Sequence, residues 1–238
     1  MKSQLYPPGY TITNVTHPDG TELPDWETVL AVIAHPDDES FGLGAVIDAF
    51  IAAGAIVDVL CLTRGEASTL GADQSDLPGV RAREITDAAG ELGVRSVRLL
   101  DFPDGALETA NPAVLAREVT AAIRDSGAEG LLAFDTTGIT SHADHIAATA
   151  AAVRAGEAHG LDVLAWTLPD SVARSLGDSF LGRPDEEIDL VLTVERVRQQ
   201  RAVRCHPSQA VPGSALWRRL ELLGDREYLR WLTEPRPA

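Results

Sequence analysis

The chain has 238 residues and a net charge of −16, with 20 Lys and Arg against 36 Asp and Glu. Binding to phosphate backbones needs clustered positive charge, so this balance excludes a nucleic-acid partner. The length suits one large α/β domain over residues 1–238 with a substantial core.

The first strong element is Val29 to Ala34, a short unbroken apolar run that predicts a strand covered on both faces in a parallel sheet. Polarity then changes abruptly at His35-Pro36-Asp37-Asp38-Glu39, one imidazole and three carboxyl groups where the strand must end. In open α/β sheets that carboxyl end is where ligands bind. Pro36 fixes one φ angle and so defines the turn. His35 and Asp38, three apart, can converge on one ion, and a neutral imidazole and a carboxylate are ordinary zinc ligands. Asp37 lies between them and is expected to point elsewhere, free to handle a water proton. Taken singly, these residues also fit a strand followed by an N-cap Asp and an acidic first helical turn. His17-Pro18-Asp19-Gly20 repeats part of the motif without a preceding strand and reads as a plain turn.

Ser40 to Ala53 predicts a helix and Ala55 to Leu62 a second strand, ending at Thr63-Arg64-Gly65-Glu66. The most apolar stretch, Ala45 to Leu60, is interrupted by Asp48 and Asp58, and the N-terminus lacks a signal-type apolar segment; no membrane span and no secretion are expected. Pro78 to Gly93 is helical, with Ile85, Ala88, Ala89 and Leu92 on one stripe that Arg81 and Glu84 extend. Charges there need partners: either each other, or, for Arg81, the site. Ser96 to Leu100 is a third strand, followed by the loop Asp101-Phe102-Pro103-Asp104-Gly105. Asn111 to Asp125 is a helix with Pro112 in its first turn, and Leu131 to Phe134 a fourth strand.

The second polar cluster, Ser141-His142-Ala143-Asp144-His145, opens an Ala-rich helix from Ile146 to about His159. Ser141 and Asp144 fit a loose capping box, which leaves two histidines unexplained. They share one helix face on the same sheet edge as His35, so one can be a third metal ligand while the other stays free. Leu161 to Thr167 and Ile188 to Thr193 predict further strands. Glu195 to Arg204 predicts a helix whose stripe of Val194, Val197, Arg201 and Cys205 places Arg201 where an apolar residue is expected. The last 48 residues hold nine Arg against five acids, which predicts either a solvated helical tail docked on an acidic body or Arg side chains reaching an anionic or polar substrate. Cys61 and Cys205 form no disulfide framework, and a reduced cytoplasm is the expected setting.

Ala34-His35-Pro36-Asp37-Asp38-Glu39 together with His142-Ala143-Asp144-His145 closely resembles the paired motifs of the PIG-L/LmbE-like de-N-acetylase family, which includes mycothiol and bacillithiol pathway deacetylases. Thr63-Arg64-Gly65-Glu66, the segment from Arg81 through Gly93, Phe102-Pro103-Asp104-Gly105 and His206-Pro207-Ser208-Gln209 resemble further family blocks in the expected order. Ala143 stands where the family often has Pro, and Arg201 where it often has Lys.

The resemblance implies a Rossmann-like three-layer sandwich with a mostly parallel central sheet. It implies zinc held by His35, Asp38 and His145, a set that also suits iron(II), with one position left for water. It implies Asp37 as the general base, and His142, oriented by Asp144, stabilising the oxyanion as an imidazolium. Arg81, Asp104 and Glu66 would then meet sugar or aglycone hydroxyls. The implied reaction is hydrolysis of an N-acetyl amide on an N-acetylglucosaminyl-type conjugate, giving a free amine and acetate. The partner is thus a small N-acetylated molecule, and a homo-oligomer is compatible with the chain. The alternatives are an amidase acting on a non-sugar N-acyl metabolite, a two-metal phosphoesterase, and a catalytically silent binding protein, whose expected mark would be a broken ligand set. A dinucleotide-binding module is disfavoured because G-x-G-x-x-G is absent after the first strand.

Overall fold

The structure, a computed structural model, describes residues 23–70 and 75–233; the turn expected at His17 to Gly20 lies outside them. In chain order the elements are β1 (Thr28–Ile33), α1 (Asp38–Phe41), α2 (Gly44–Ala53), β2 (Ile56–Thr63), α3 (Leu77–Leu92), β3 (Ser96–Phe102), α4 (Pro112–Ser126), β4 (Gly130–Phe134), α5 (Gly138–Ser141), α6 (Ala143–His159), β5 (Asp162–Thr167), α7 (Asp170–Leu176), β6 (Leu190–Thr193), α8 (Val197–Arg204), α9 (Ala215–Leu223) and β7 (Arg226–Trp231).

The strands form one sheet in the order β3-β2-β1-β4-β5-β7-β6. The first five run parallel, and β7 is antiparallel to both β5 and β6. Alternation along β1 shows how the core divides: Val29, Ala31 and Ile33 join Val46 and Phe50 of α2 and Ile85 and Leu92 of α3 on one face. Leu30, Val32 and Ala34 join Leu115 and Val119 of α4 and Ala148 and Ala152 of α6 on the other. With both faces buried the strand has no polar side to show, hence its continuous apolar sequence. Two helical layers thus sandwich a mostly parallel Rossmann-like sheet. Strand order runs outward from β1 through β2 and β3 on one side and through β4 and β5 on the other. The winding therefore reverses between β1 and β4, which opens a crevice at their carboxyl ends.

Helix ends follow local chemistry. Asp76 caps α3 by accepting the Gly79 N–H, and Asn111 caps α4 by accepting that of Ala113, with Pro112 just inside. The expected helix from Ser40 is broken in two around Gly42 and Leu43. In α8 the buried residues are Gln199, Ala202 and Val203, while Val197 is 57% exposed and Arg201 is at the surface. The stripe read from the sequence is therefore not the packed one. Gln199 turns inward because its amide donates to the Ser40 carbonyl at 3.1 Å, a bond that apolar periodicity does not register.

The C-terminal region corrects the sequence reading further. The expected helical tail forms only as the two short helices α8 and α9, and the chain then enters the sheet as β7 between β5 and β6. A charge in the sheet interior disguises this strand: Glu227, fully buried, alternates inward with Leu229. Its carboxylate accepts the Trp166 indole N–H at 2.6 Å and pairs with Arg196, which also donates to the Arg226 carbonyl at 2.7 Å. Burial pushes the Glu227 carboxyl up, and Arg196 opposes this. Arg196→Met would strand that carboxylate and is expected to lower stability by about 3–5 kcal/mol in urea unfolding. Adding Glu227→Met should recover most of the loss, and an Arg196→Met variant of unchanged stability would refute this role for the pair.

Candidate metal centre

The two clusters singled out in the sequence meet at the crevice between β1 and β4. His35 and Asp38 follow β1, and His142 to His145 open α6 after β4. His35, Asp38 and His145 present ligand atoms within 4.8 Å of one another, as do His35, His142 and Asp144. In the first set His35 Nδ1 lies 3.2 Å from His145 Nε2, which is 3.1 Å from Asp38 Oδ1; His35 Nδ1 is 3.6 Å from Asp38 Oδ2. Donor atoms about 2.0–2.1 Å from a tetrahedral zinc ion sit roughly 3.3 Å apart. The spacing fits one divalent cation.

Hydrogen-bond partners fix which nitrogens face it. His145 Nδ1 is 3.2 Å from the Gly138 carbonyl, which only accepts, so Nδ1 carries the hydrogen and Nε2 offers a lone pair. His35 Nε2 lies 3.1 Å from Asp104 Oδ1 and 3.2 Å from Asp144 Oδ2, so its Nδ1 is the lone-pair side. Two lone pairs then face each other beside a carboxylate oxygen, and this arrangement repels unless a proton or a cation sits among them. Carboxylates and carbonyls behind ligating imidazoles also orient them and raise their basicity.

The titration behaviour agrees. Burial works to lower the His35 pKa, but its bonds to Asp104 and Asp144 and the charges of Asp38 and Asp37 outweigh this and raise it to about 10. Against the upward pull of burial, His145 and His35 hold Asp38 well below the ordinary carboxylate range. Asp38 Oδ2 is anchored by the backbone N–H groups of Ala34 (3.2 Å) and His35 (2.9 Å), leaving Oδ1 toward His145.

Asp37 takes a different direction. Its φ is 142°, and Asp37, Ile139 (65°) and Ser141 (56°) are the non-glycine positive-φ residues among the described residues, all flanking this centre. Such conformations cost of order 1–3 kcal/mol each and persist only when the surroundings enforce them. At Asp37 the enforcement is visible. Its N–H donates to Glu39 Oε2 at 3.0 Å, and Arg81 Nη2 donates to both the Pro36 carbonyl (2.6 Å) and Asp37 Oδ2 (2.9 Å). Arg81 Nη1 reaches the Gly65 carbonyl at 2.8 Å, and a Cβ on Gly65 would lie 2.0 Å from that nitrogen, so this close approach needs glycine. Burial raises the Asp37 carboxyl to about 6, with Arg81 opposing and Asp38 assisting.

His142 caps α6: its Nδ1 accepts the Asp144 N–H at 3.3 Å, and its ring centroid lies 4.8 Å from that of His35. The capping box expected of Ser141 and Asp144 does not form. Asp144 is fully buried, and its carboxylate accepts the Gly105 N–H (2.7 Å) and the Leu107 N–H (2.9 Å) besides contacting His35. Its link to the His142 ring is thus through the backbone. Asp104 contacts His35 and accepts the Ala67 N–H at 2.8 Å, while Glu66 accepts the Asp104 N–H at 2.9 Å. Arg81 and Glu84 do not pair with each other. Glu84 instead accepts the Ser208 N–H (2.9 Å) and hydroxyl (2.6 Å).

Sequence reasoning missed one group. His206, fully buried, has Nε2 2.7 Å from Glu39 Oε1, and the Ser40 hydroxyl donates to the same oxygen at 2.6 Å. The other oxygen of Glu39 holds the Asp37 N–H, so the late His206-Pro207-Ser208-Gln209 segment braces the strained turn. Its signals in the sequence were polarity at a helix end and the resemblance to a family block, neither of which assigned it a partner. Among the described residues, no helix is long and apolar enough to cross a membrane.

Fold and donor set together define a Rossmann-like α/β protein with a two-histidine, one-carboxylate centre. A family model described as PIG-L, GlcNAc-PI de-N-acetylase, matches residues 30–156, more than half of the chain, and the chain belongs to that family. It is 31% identical over 133 residues to the probable N-acetyl-alpha-D-glucosaminyl L-malate deacetylase 2 of Bacillus cereus, covering 53% of this chain and 60% of that one. It is 29% identical to the 1D-myo-inositol 2-acetamido-2-deoxy-alpha-D-glucopyranoside deacetylase of Salinispora arenicola, covering 84% of this chain and 81% of that one. The chain thus spans less than two thirds of the Bacillus cereus relative. Among solved structures it shares its fold with N,N'-diacetylchitobiose deacetylase from Pyrococcus horikoshii, with TM-score 0.66 and 21% identity, covering 87% of this chain and 84% of that one. The 4-carboxy-2-hydroxymuconate hydratase of Pseudomonas putida has the same score and identity, covering 89% and 98%.

Because His35 keeps a second proton up to about pH 10 in the metal-free protein, cation binding at pH 8 should release close to one proton. Calorimetry in buffers of different ionisation enthalpy measures this, and affinity should fall as pH falls. His145→Ala is expected to weaken the metal about 100-fold or more, since it removes one of three protein ligands; stoichiometric metal surviving dialysis in that variant would refute its assignment.

Proposed function

We propose that this chain is a metal-dependent N-deacetylase that hydrolyses an N-acetyl amide on a small glucosaminyl-type conjugate to a free amine and acetate. The observation that carries this is the division of labour between adjacent carboxylates. Asp38 is fixed by two amides and turned to His145, whereas Asp37 is swung by its φ of 142° onto Arg81, off the ligand set but beside it. The names of the relatives from Bacillus cereus and Salinispora arenicola support a sugar-borne acetamide.

His35, Asp38 and His145 would hold zinc or iron(II). Once bound, the cation supplies Lewis acidity, lowering the pKa of a water and polarising the amide carbonyl. With a carboxyl pKa raised to about 6, Asp37 is ionised at neutral pH yet basic enough to accept a proton from an attacking water and pass it to the departing amine. Arg81 serves by aiming Asp37, and Asp104 and Asp144 serve by orienting His35. Glu66, exposed, is left to meet a substrate hydroxyl. His142 Nδ1 accepts the Asp144 N–H, so Nε2 is the hydrogen-bearing nitrogen that can stabilise an oxyanion. Burial, with His145 and His35 nearby, lowers its pKa, so the neutral imidazole is the donor in the metal-free protein.

A single ion is favoured over a two-metal phosphoesterase. The second possible donor set shares His35 with the first, and both Asp144 oxygens already accept backbone N–H groups. We also read the chain as one domain and place it in the cytoplasm, which the free thiols of Cys61 and Cys205 support.

Asp37→Asn is expected to retain one metal ion per chain while acetate release falls about 10²–10⁴-fold; loss of metal in that variant would refute the base assignment. In the wild-type protein kcat/KM should rise with pH as Asp37 loses its proton. The midpoint should lie at or below about 6, because a bound cation can only lower the Asp37 pKa.

A further inference from the structure

A cavity of about 180 Å³ opens beside the metal centre. Asp38 and His145 line it together with the aromatic side chains of Phe41, Phe134, Trp166 and Phe180 and with Arg219. At about 30 Å³ per water it has room for roughly six waters, more than the methyl of an acetyl group needs.

Arg219 is poorly satisfied for a charge held there. Nη2 donates to the Phe41 carbonyl at 2.7 Å, and the guanidinium carbon stacks 5.0 Å from the centroid of Trp166. Nε is buried with no hydrogen-bond partner. The nearby carboxylate of Glu227 is committed to Trp166 and Arg196. A half-buried cation without a bonded anion is costly, and Arg219 lines the cavity. Burial lowers its pKa to about 10, so it remains charged at neutral pH.

We propose that the substrate carries a carboxylate on an arm that enters this cavity and pairs with Arg219, while the scissile carbonyl sits at the metal centre. The aromatic walls then cover the apolar part of the arm. This rests on the amide-hydrolase reading above. The carboxylate can belong to the acyl group, as in the monoamide of a dicarboxylic acid, or to the aglycone.

The test uses the zinc-loaded full chain and follows release of primary amine from three substrates. These are the methyl glycoside of N-acetylglucosamine, the same sugar glycosylated to glycolic acid, and the methyl glycoside of N-succinylglucosamine. One of the two carboxylated substrates should exceed the neutral one about 30-fold in kcat/KM, chiefly through KM, as one charged hydrogen bond provides. Which one does so identifies the arm. Arg219→Gln should collapse this ratio to about threefold or less, with Arg219→Lys intermediate. Thr140→Glu, which sets a negative charge at an exposed position on the cavity wall, should lower the ratio too and covers the case in which Arg219→Gln fails to fold.

Turnover of the neutral sugar without preference for either carboxylated substrate overturns this inference and leaves the hydrolase reading intact. If no substrate releases amine, the hydrolase reading fails, and glutarate binding to the metal-free protein by tryptophan fluorescence decides the anion site. Binding at least tenfold weaker in Arg219→Gln upholds it, and equal binding overturns it. Acetate matching glutarate in the wild-type protein also overturns it, since Arg219 would then hold only the product.

Discussion

Two imidazole nitrogens, His35 Nδ1 and His145 Nε2, face each other at 3.2 Å with an oxygen of Asp38 beside them. Without a proton or a cation between them they would repel, and much of the surrounding structure holds them there. Asp104 and Asp144 take the far side of His35, the Gly138 carbonyl takes that of His145, and two strand-end amides take the spare oxygen of Asp38. This closeness is available because β1 and β4 are neighbours at the point where the sheet's winding reverses, so loops separated by about a hundred residues leave the sheet side by side.

Positive φ angles fall at Asp37, Ile139 and Ser141, and at Asp37 groups far away in sequence help to bear the strain. Arg81 of α3 grips the turn from one side. Glu39, clasped by His206 and Ser40, grips it from the other, and Glu84 ties the segment after His206 to α3 through Ser208. Buried ionic groups of this kind are weak contributors to stability. Their placement is better understood as positioning: Arg81 and Glu39 bond directly to the turn that carries Asp37 and Asp38, His206 bonds to Glu39, and Glu84 fixes the segment that follows His206.

A shared fold does not choose a reaction, as the likeness to both a deacetylase and a hydratase shows. What this chain places at the crevice is a donor set that could hold a cation, a neighbouring carboxylate beside it, and a cavity lined in part by a guanidinium stacked on Trp166. The last of these comes from α9 and β5, elements that contribute nothing to the paired motifs. The candidate metal centre and the cavity beside it are thus drawn from different parts of the chain.

Local sequence determined the central strands, because burial on both faces demands uninterrupted apolar runs, and it determined the donors, because polar groups clustered where those runs stop. The choice of His35, Asp38 and His145 came with the family resemblance. Only the tertiary structure decided which partner each charge would take. Arg81 turned to Asp37 and not to Glu84, and the Asp144 carboxylate turned to His35 and two amides while its backbone N–H alone met His142. Gln199 faced inward where periodicity pointed to Arg201, and Glu227 hid a strand by occupying an inward position. The physical reason is common to these cases. Apolar burial is non-directional and leaves a periodic trace in the chain, whereas a buried polar group is stable only against a partner that folding brings to it from elsewhere.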